Sequence, residues 1–318
     1  MSVDGFVTLN DKYATTRLLL PGEATCGGML CGFRQSQTCG GLRSKGYFKK
    51  SLGDRPLVSV ITTTFNSEKY FTETIESVIT QRYDNIEYIV VDGCSTDGTV
   101  DILRRYDDRI DFWLSEPDGS MYEAINKGIA QSRGEIIAVL NSDDRYINED
   151  VVSQMVKWLR ISPDVGGVYG DLIRLYATHT RYKKVFQVGY RRYLLSQGGT
   201  FVPHPALFVR RNCIEKTGVY DTRYRYASDY DFILRCLKYC RLQYINMPVT
   251  YFRVHAASIT SSGVISKEKL AVLKDHGIDR YWRLEKKIMY IFLWGKYALL
   301  NVFNRKRALR GRNLRVTD

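Results

Sequence analysis

PLVSVITTTFNSEKYFTETIESVITQRYDNIEYIVVDGCSTDGT, residues 56–99, alternates two apolar runs with a helical period. Leu57 to Phe65 is rich in β-branched residues and reads as a buried strand. Phe71, Ile75, Val78 and Ile79 then recur at helical spacing, with Ser67 as the expected N-cap. Ile86 to Asp92 is a second strand, and Ser95, Thr96 and Asp97 offer caps for the helix after it. The alternation continues outward. IDFWLSE (110–116) is a third strand, GSMYEAINKGIAQS (119–132) a helix and EIIAVLN (135–141) a fourth strand. Such alternation with short turns means βαβ units: an α/β chain, Rossmann-like, with a mostly parallel central sheet and helices on both faces.

Open parallel sheets bind ligands at the carboxyl ends of their strands. Four predicted strand ends here carry polar groups: Thr63, Thr64 and Asn66; Asp92; Glu116 and Asp118; Asn141, Asp143 and Asp144. In VLNSDDRY (139–146) an apolar run stops at two adjacent carboxylates whose charges repel. A solvated turn with a helix cap accounts for that pattern, and so does a cation site. Carboxylates at three of the four ends favour a site. Beyond about Pro163 the pattern loosens into an α+β half. VGGVYGDLIRLY (165–176) and TFVPHPALFVRR (200–211) read as extended, YASDYDFILRCLKYC (226–240) as a helix start and VTYFRVHAAS (249–258) as a last strand. The expected organisation is an N-terminal extension, partly loop, over 1–54, and a domain over 55–260. Within that domain, 55–150 form the ligand half and 151–260 a smaller second half. A basic helical tail follows over 261–318.

A chain of 318 residues holds one large domain or two modest ones. The formal charge is +13, and residues 280–318 hold eleven Lys/Arg against two acids, so the body is nearly neutral. Ile288 to Phe303 is mostly apolar, with Lys296 at its middle. It is shorter than the ~20 residues of a spanning helix. Its basic flanks fit an interfacial helix on an anionic membrane surface, and a core helix is the other reading. Nucleic acid is not an expected partner, because the charge comes without a recognised motif. Seven scattered cysteines do not form a disulfide framework, and reduced thiols are expected. Cys26, Cys31 and Cys39 lack a CxxC pair, which leaves a zinc knuckle as a minor alternative. Leu18 to Leu20 is too short for a signal-peptide core, so a cytoplasmic location is expected, peripheral on the membrane face if the tail binds there. The first strand leads into neither GxGxxG nor GxxxxGK[ST], which argues against dinucleotide and P-loop sites.

The segments at 56–99, EPDGSMYEAINKG (116–128) and LNSDDRY (140–146), in this order, resemble a family 2 glycosyltransferase of the GT-A fold, of the bacterial surface-polysaccharide type. The resemblance covers about Pro56 to His255 and implies sugar transfer from a nucleotide-diphosphate sugar, UDP-linked by preference, to a glycan or lipid-linked glycan. It puts Thr63, Phe65 and Asn66 at the nucleotide, with Asp92 on the base, although relatives often read DDGS where this chain reads Asp92-Gly93-Cys94-Ser95. It aligns NSDD with the DxD motif: Asn141 replaces the first acid and faces the ribose, and Asp143 holds Mn²⁺ or Mg²⁺, with Asp144 in support. His255 stands where relatives bring a histidine or basic group toward the metal or pyrophosphate. Asp118 is implied as a donor-sugar contact and His204 as an acceptor contact. Asp229, the second acid of a pair whose first member is Ser228 here, is implied as the general base of a single inverting displacement. Two other readings remain at this stage: a nucleotidyltransferase, which normally shows a glycine-rich loop missing here, and an inactive family member acting as a binding subunit. A processive synthase is disfavoured, since the chain lacks a QxxRW motif.

Overall fold

The computed structural model describes residues 38–195, 202–255 and 265–277, together with the backbone of β1 (Val7–Thr8) and β2 (Leu18–Pro21). The expected membrane helix at 288–303 and the Cys26 and Cys31 thiols lie outside the described residues. The chain divides into two compact units, 1–269 and 270–318.

The core of the first unit is four parallel strands in the order β7-β6-β5-β8: β5 (Val58–Thr64), β6 (Ile86–Asp92), β7 (Phe112–Ser115) and β8 (Ile136–Val139). β5 pairs with β6 from Val58↔Ile86 to Thr64↔Asp92, and with β8 from Val58↔Ile136 to Ile61↔Val139. Every residue of β5 and β6 is buried. That is why these strands read as unbroken apolar runs: helices cover both faces. Helices α1 (Phe71–Ile79) and α2 (Thr99–Arg105) carry the chain away from β5 on one side. Helix α3 (Met121–Gln131) brings it back across to β8. The winding therefore reverses between β5 and β8, and a crevice opens at their carboxyl ends.

The same sheet continues into the second half. Antiparallel β12 (Leu207–Arg210) joins β8, β10 (Gly167–Leu175) joins β12, and β13 (Leu242–Arg253) runs parallel to β10. Short β9 (Arg145–Tyr146) closes that edge against β13, and β11 (Thr180–Lys183) folds back on β10. The remaining helices are α4 (Val151–Ile161), α5 (Tyr190–Leu195), α6 (Arg211–Thr217), α7 (Ser228–Tyr239) and α8 (Ile265–Asp275). Because α7 leads into β13, its N-terminus lies at the carboxyl edge of the sheet. One sheet thus serves both halves anticipated from sequence.

Residues 38–50, read from sequence as part of an extension, add one strand to this sheet and one to a separate three-stranded sheet with β1 and β2. β3 (Thr38–Gly40) pairs antiparallel with β7, and β4 (Tyr47–Phe48) pairs with β2. Arg43 and Lys49 project from this segment into the interior. Arg43 forms an ion pair with buried Glu87, whose Oε2 also accepts from Ser59 Oγ at 2.6 Å and Arg133 N at 2.8 Å. Lys49 Nζ lies 2.7 Å from Asp111 Oδ2, which also accepts from Tyr88 N at 2.8 Å. Removing one partner of a buried pair leaves an uncompensated charge. Asp111→Ala should therefore lower unfolding free energy by about 3–5 kcal/mol in denaturant titrations. A loss below about 1 kcal/mol, typical of exposed pairs, would mean that the pair is not buried in solution.

Candidate active site

The turn after β8 meets the end of β13. Asp144 N donates to Asn141 O at 3.1 Å, closing the NSDD turn, and Thr74 Oγ1 of α1 donates to the Ser142 and Asp144 carbonyls at 2.8 and 2.7 Å. The Asp144 carboxylate is buried. It accepts from Asn141 Nδ2 at 2.8 Å on one oxygen and from Arg253 N at 2.9 Å on the other. Burial, and then the neighbouring Asp143 charge, hold its carboxyl well above the usual range. Asp143 turns the other way, toward solvent, and its Oδ2 lies 2.9 Å from His255 Nε2. Arg253 Nε donates to Asp143 O at 3.1 Å, its guanidinium lies 3.9 Å from the Tyr70 ring centroid, and Nη2 pairs with Glu73 at 2.9 Å.

Among the described residues, no three His, Cys, Asp or Glu side chains converge as a closed metal cage. Asp143 and His255 nevertheless fit a divalent cation of the open kind. One carboxylate and one imidazole, 29% and 33% exposed, converge at the rim of the crevice and leave most of the coordination sphere to ligand oxygens and water. Asn141, expected at the ribose, has its amide nitrogen committed to Asp144.

The loops after β5 and β6 are tied together. Asn66 has φ +49° and Cys94 φ +66°, both left-handed. Asparagine tolerates that region, whereas for cysteine it is strained, as often happens where a loop is shaped for a ligand. Asn66 N donates to Ser95 Oγ at 2.8 Å, and Asn66 Oδ1 accepts from Thr96 N at 2.9 Å. Asp92 is fully buried and accepts from Ser95 N at 2.9 Å, Ser95 Oγ at 2.5 Å and Ser115 Oγ at 2.7 Å. Its first duty is to shape the loop. Thr63 and Thr64 are buried, and Thr64 Oγ1 has no partner. Phe65 is 62% exposed, a large ring presented at a strand end. A Cβ on Gly93 would stand 2.9 Å from Asp118 Oδ2 and 3.3 Å from the Phe65 ring, so Phe65 and Asp118 flank the Gly93 backbone closely. Burial raises the Asp118 carboxyl. Lys127 opposes that rise, and Glu123, Asp92 and Glu116 add to it. Lys127 itself pairs with Glu116 at 2.7 Å.

Asp229 stands in the first turn of α7, on the same sheet edge. Tyr230 N donates to its Oδ1 at 2.7 Å and Tyr122 Oη to the same oxygen at 3.3 Å. Both bonds fall on Oδ1, which leaves Oδ2 to meet a ligand. Beneath it lies a layer of phenols, Tyr122, Tyr193 and Tyr220. Burial comes first and the Asp229 charge contributes in keeping all three protonated far above neutral pH. His204 belongs to this layer. It is buried, its Nε2 lies 2.6 Å from Tyr220 Oη, and burial lowers its pKa. A direct acceptor contact does not suit such a position, because the ring nitrogen that would reach out is already bonded. Asn126 fixes Tyr220 from the other side, with 2.8 and 3.0 Å bonds to the Tyr220 backbone.

Sequence reading missed Arg253, Tyr70 and Glu73, although FRVH (252–255) was already marked as a strand end beside His255. It also missed Glu268, whose carboxylate accepts from Arg225 N, Tyr226 N and Ala227 N at 3.1, 2.6 and 3.0 Å and so braces the loop that leads into α7. No local pattern announces a brace that comes from another helix. Asp231, two residues after Asp229, is bonded to Arg235 at 2.8 Å and holds the helix rather than the site.

A mostly parallel sheet with its crevice at the β5/β8 reversal and acids on its carboxyl edge is the architecture of the GT-A fold. Solved structures share the fold. S. aureus TarS 1–349 matches with a TM-score of 0.55 at 19% identity, over 68% of this chain and 64% of that one. A mannosyltransferase from Pyrobaculum calidifontis, solved with GDP-Man and Mn²⁺, matches with a TM-score of 0.54 at 22% identity, over 71% of this chain and 66% of that one. The sequence model of Glycosyl transferase family 2 matches residues 59–218. An uncharacterized glycosyltransferase of Mycobacterium tuberculosis is 36% identical over 222 residues, 69% of this chain and 81% of the relative. A PGL/p-HBAD biosynthesis glycosyltransferase of Mycobacterium bovis is 28% identical over 218 residues, 68% of this chain and 83% of the relative. The chain belongs to glycosyl transferase family 2.

Proposed function

We propose that this protein transfers a sugar from a nucleoside-diphosphate sugar, with UDP as the nucleotide, to a saccharide or lipid-linked saccharide of a surface-polysaccharide pathway, by one inverting displacement. The observation that carries the reading is the open Oδ2 of Asp229 on the same sheet edge as the Asp143–His255 pair. A base and a cation site are the two things such a displacement needs. Family membership sets the nucleotidyltransferase alternative aside. TarS solved with UDP-GlcNAc and the mannosyltransferase solved with GDP-Man and Mn²⁺ support a nucleotide-sugar donor.

Each residue then has a task. The exposed Phe65 ring offers a stacking face to the base, and Thr63, Asn66 and Asp92 frame the loop that receives it. Asn141 retains its carbonyl oxygen for the ribose, its amide nitrogen being held by Asp144. Asp118, beside Gly93, reaches a donor-sugar hydroxyl. Asp143 and His255 would hold Mn²⁺ or Mg²⁺. When bound, the cation offsets the charge that gathers on the diphosphate as it leaves. Asp229 Oδ2 accepts the proton of the acceptor hydroxyl while that oxygen attacks the anomeric carbon. The bond from that carbon to the diphosphate oxygen breaks in the same step, and no covalent enzyme intermediate forms. His204 serves by fixing Tyr220 under Asp229, not by touching the acceptor.

The acceptor reading also motivates a membrane role for the basic segment 280–318. No described helix is long and apolar enough to cross a membrane. Interfacial attachment on the cytoplasmic face is what its charge would supply.

Asp229→Asn should cut transfer by about 10²–10⁴-fold while leaving donor binding, read by thermal shift with Mn²⁺, unchanged. Near-normal turnover would overturn the assignment. An intact enzyme that neither transfers nor hydrolyses any nucleotide sugar would favour the binding-subunit reading. Deleting 286–318 should release the protein from membranes in sedimentation, and unchanged sedimentation would rule the tail out as the anchor.

A further inference from the structure

The β10–β11 hairpin carries a cluster of charge that the transfer site does not use. Its register pairs Arg174 with Arg181 and Leu172 with Lys183. Residues directly opposed share a face, and alternate residues along a strand return to it. Arg174, Arg181 and Lys183 therefore stand together on one face. Tyr182 points to the other face, where its hydroxyl donates to Asp171 Oδ2 at 2.5 Å. Tyr244 Oη donates to Asp171 Oδ1 at 3.0 Å. The acid nearest in the chain is thus occupied on the opposite side. Among the described residues, no carboxylate pairs with any of the three cations.

Like charges directly opposed across strands are destabilising, and Arg174 and Arg181 are opposed in that way. Arg174 Nε is also buried without a hydrogen-bond partner. Buried donors are nearly always satisfied, so an unpaired guanidinium nitrogen in a nest of cations marks a missing acceptor. Burial, and then Arg174 and Arg181, push the Lys183 ammonium down to about 8. An anion seated there would reverse all three penalties together. Two guanidinium forks and an ammonium match the several oxygens of a phosphate better than a single carboxylate. Position adds to this. β10 pairs with β13 at Arg174↔Phe252 and Leu175↔Arg253, so the hairpin lies one strand from Arg253, which borders the Asp143–His255 pair.

We propose that Arg174, Arg181 and Lys183 form a phosphate-binding site, separate from the donor crevice. The phosphate belongs either to the acceptor molecule or to a membrane lipid headgroup, and both present the same chemistry to the hairpin. Its use in orienting an acceptor rests on the sugar-transfer reading, but the binding does not.

The test needs no activity. Full-length protein is melted in low-salt, phosphate-free buffer, and inorganic phosphate is then titrated in at constant ionic strength. Arg181→Gln relieves the cross-strand repulsion, so its Tm without phosphate should rise by about 1–3 °C. The phosphate-induced rise of the wild type should shrink in this variant. Lys183→Gln should behave in the same way. Phosphate bound in the donor crevice raises all three proteins alike and cancels in the comparison. Equal melting temperatures and equal phosphate responses in all three would overturn the proposal. Flotation with phosphatidylglycerol vesicles separates the sources. With the basic tail present in both proteins, vesicle binding weaker in Arg181→Gln than in the wild type identifies a lipid headgroup. A lost phosphate response with vesicle behaviour matching the wild type identifies the acceptor's phosphate.

Discussion

One buried carboxylate holds the two ends of the site together. Asp144 accepts from Asn141 at the end of β8 and from the Arg253 backbone at the end of β13. Between those strands in the sheet lie β12 and β10, and residues more than a hundred positions apart meet because β9, just after the turn, pairs with β13 and the Asp144 contact extends that closure to the end of the strand. The adjacent acids of NSDD therefore have different tasks. Asp144 faces inward and braces the turn, whereas Asp143 faces outward and meets His255. Burial, and then the Asp143 charge, raise the inward group, while N–H donors on both of its oxygens oppose that rise.

The same economy appears in the loops around the crevice. Asp92 binds Ser95 and Ser115, Asn66 binds Thr96, and Ser67 Oγ lies 2.8 Å from Ser142 Oγ, so the turns after β5, β6 and β8 form one cross-braced rim. Residues that look like ligand contacts in the sequence largely hold that rim in shape. Among the groups at least partly open to solvent on this rim are the Phe65 ring, Asp118 and Asp143 with His255. Preorganisation of this kind fixes reacting groups before the substrate arrives.

Much of this was legible in the sequence. The β-branched run 57–65 and the apolar run 86–92 became β5 and β6 because burial on both faces demands continuous apolar character, and Ile86–Asp92 matches residue for residue. Parallel pairing then brings their polar ends to one edge without further information. Ser67 was misread as a cap. α1 begins after Tyr70, and the Ser67 hydroxyl reaches across to Ser142 instead. Asp97 does support α2, by accepting from Thr99 N at 3.0 Å, but from one residue before the N-cap. The buried roles of His204, Asn126 and Glu268 were illegible for a common reason. Each acts on backbone or phenol groups far away in sequence, and local periodicity carries no trace of such partners. The burial of Arg43 and Lys49 was hidden in the same way, because charged residues in a glycine-rich stretch look like surface until their carboxylate partners are placed.

If the ends of β8 and β13 make a two-ligand cation site from Asp143 and His255, a bound metal carries one imidazole nitrogen. Electron–nuclear double resonance on Mn²⁺ bound with UDP to protein carrying ¹⁵N-histidine tests it most directly. The chain has only four histidines. One directly bonded imidazole nitrogen should give a coupling, present in the wild type and absent in His255→Ala. A spectrum without any histidine nitrogen coupling, or one unchanged by that substitution, would contradict it.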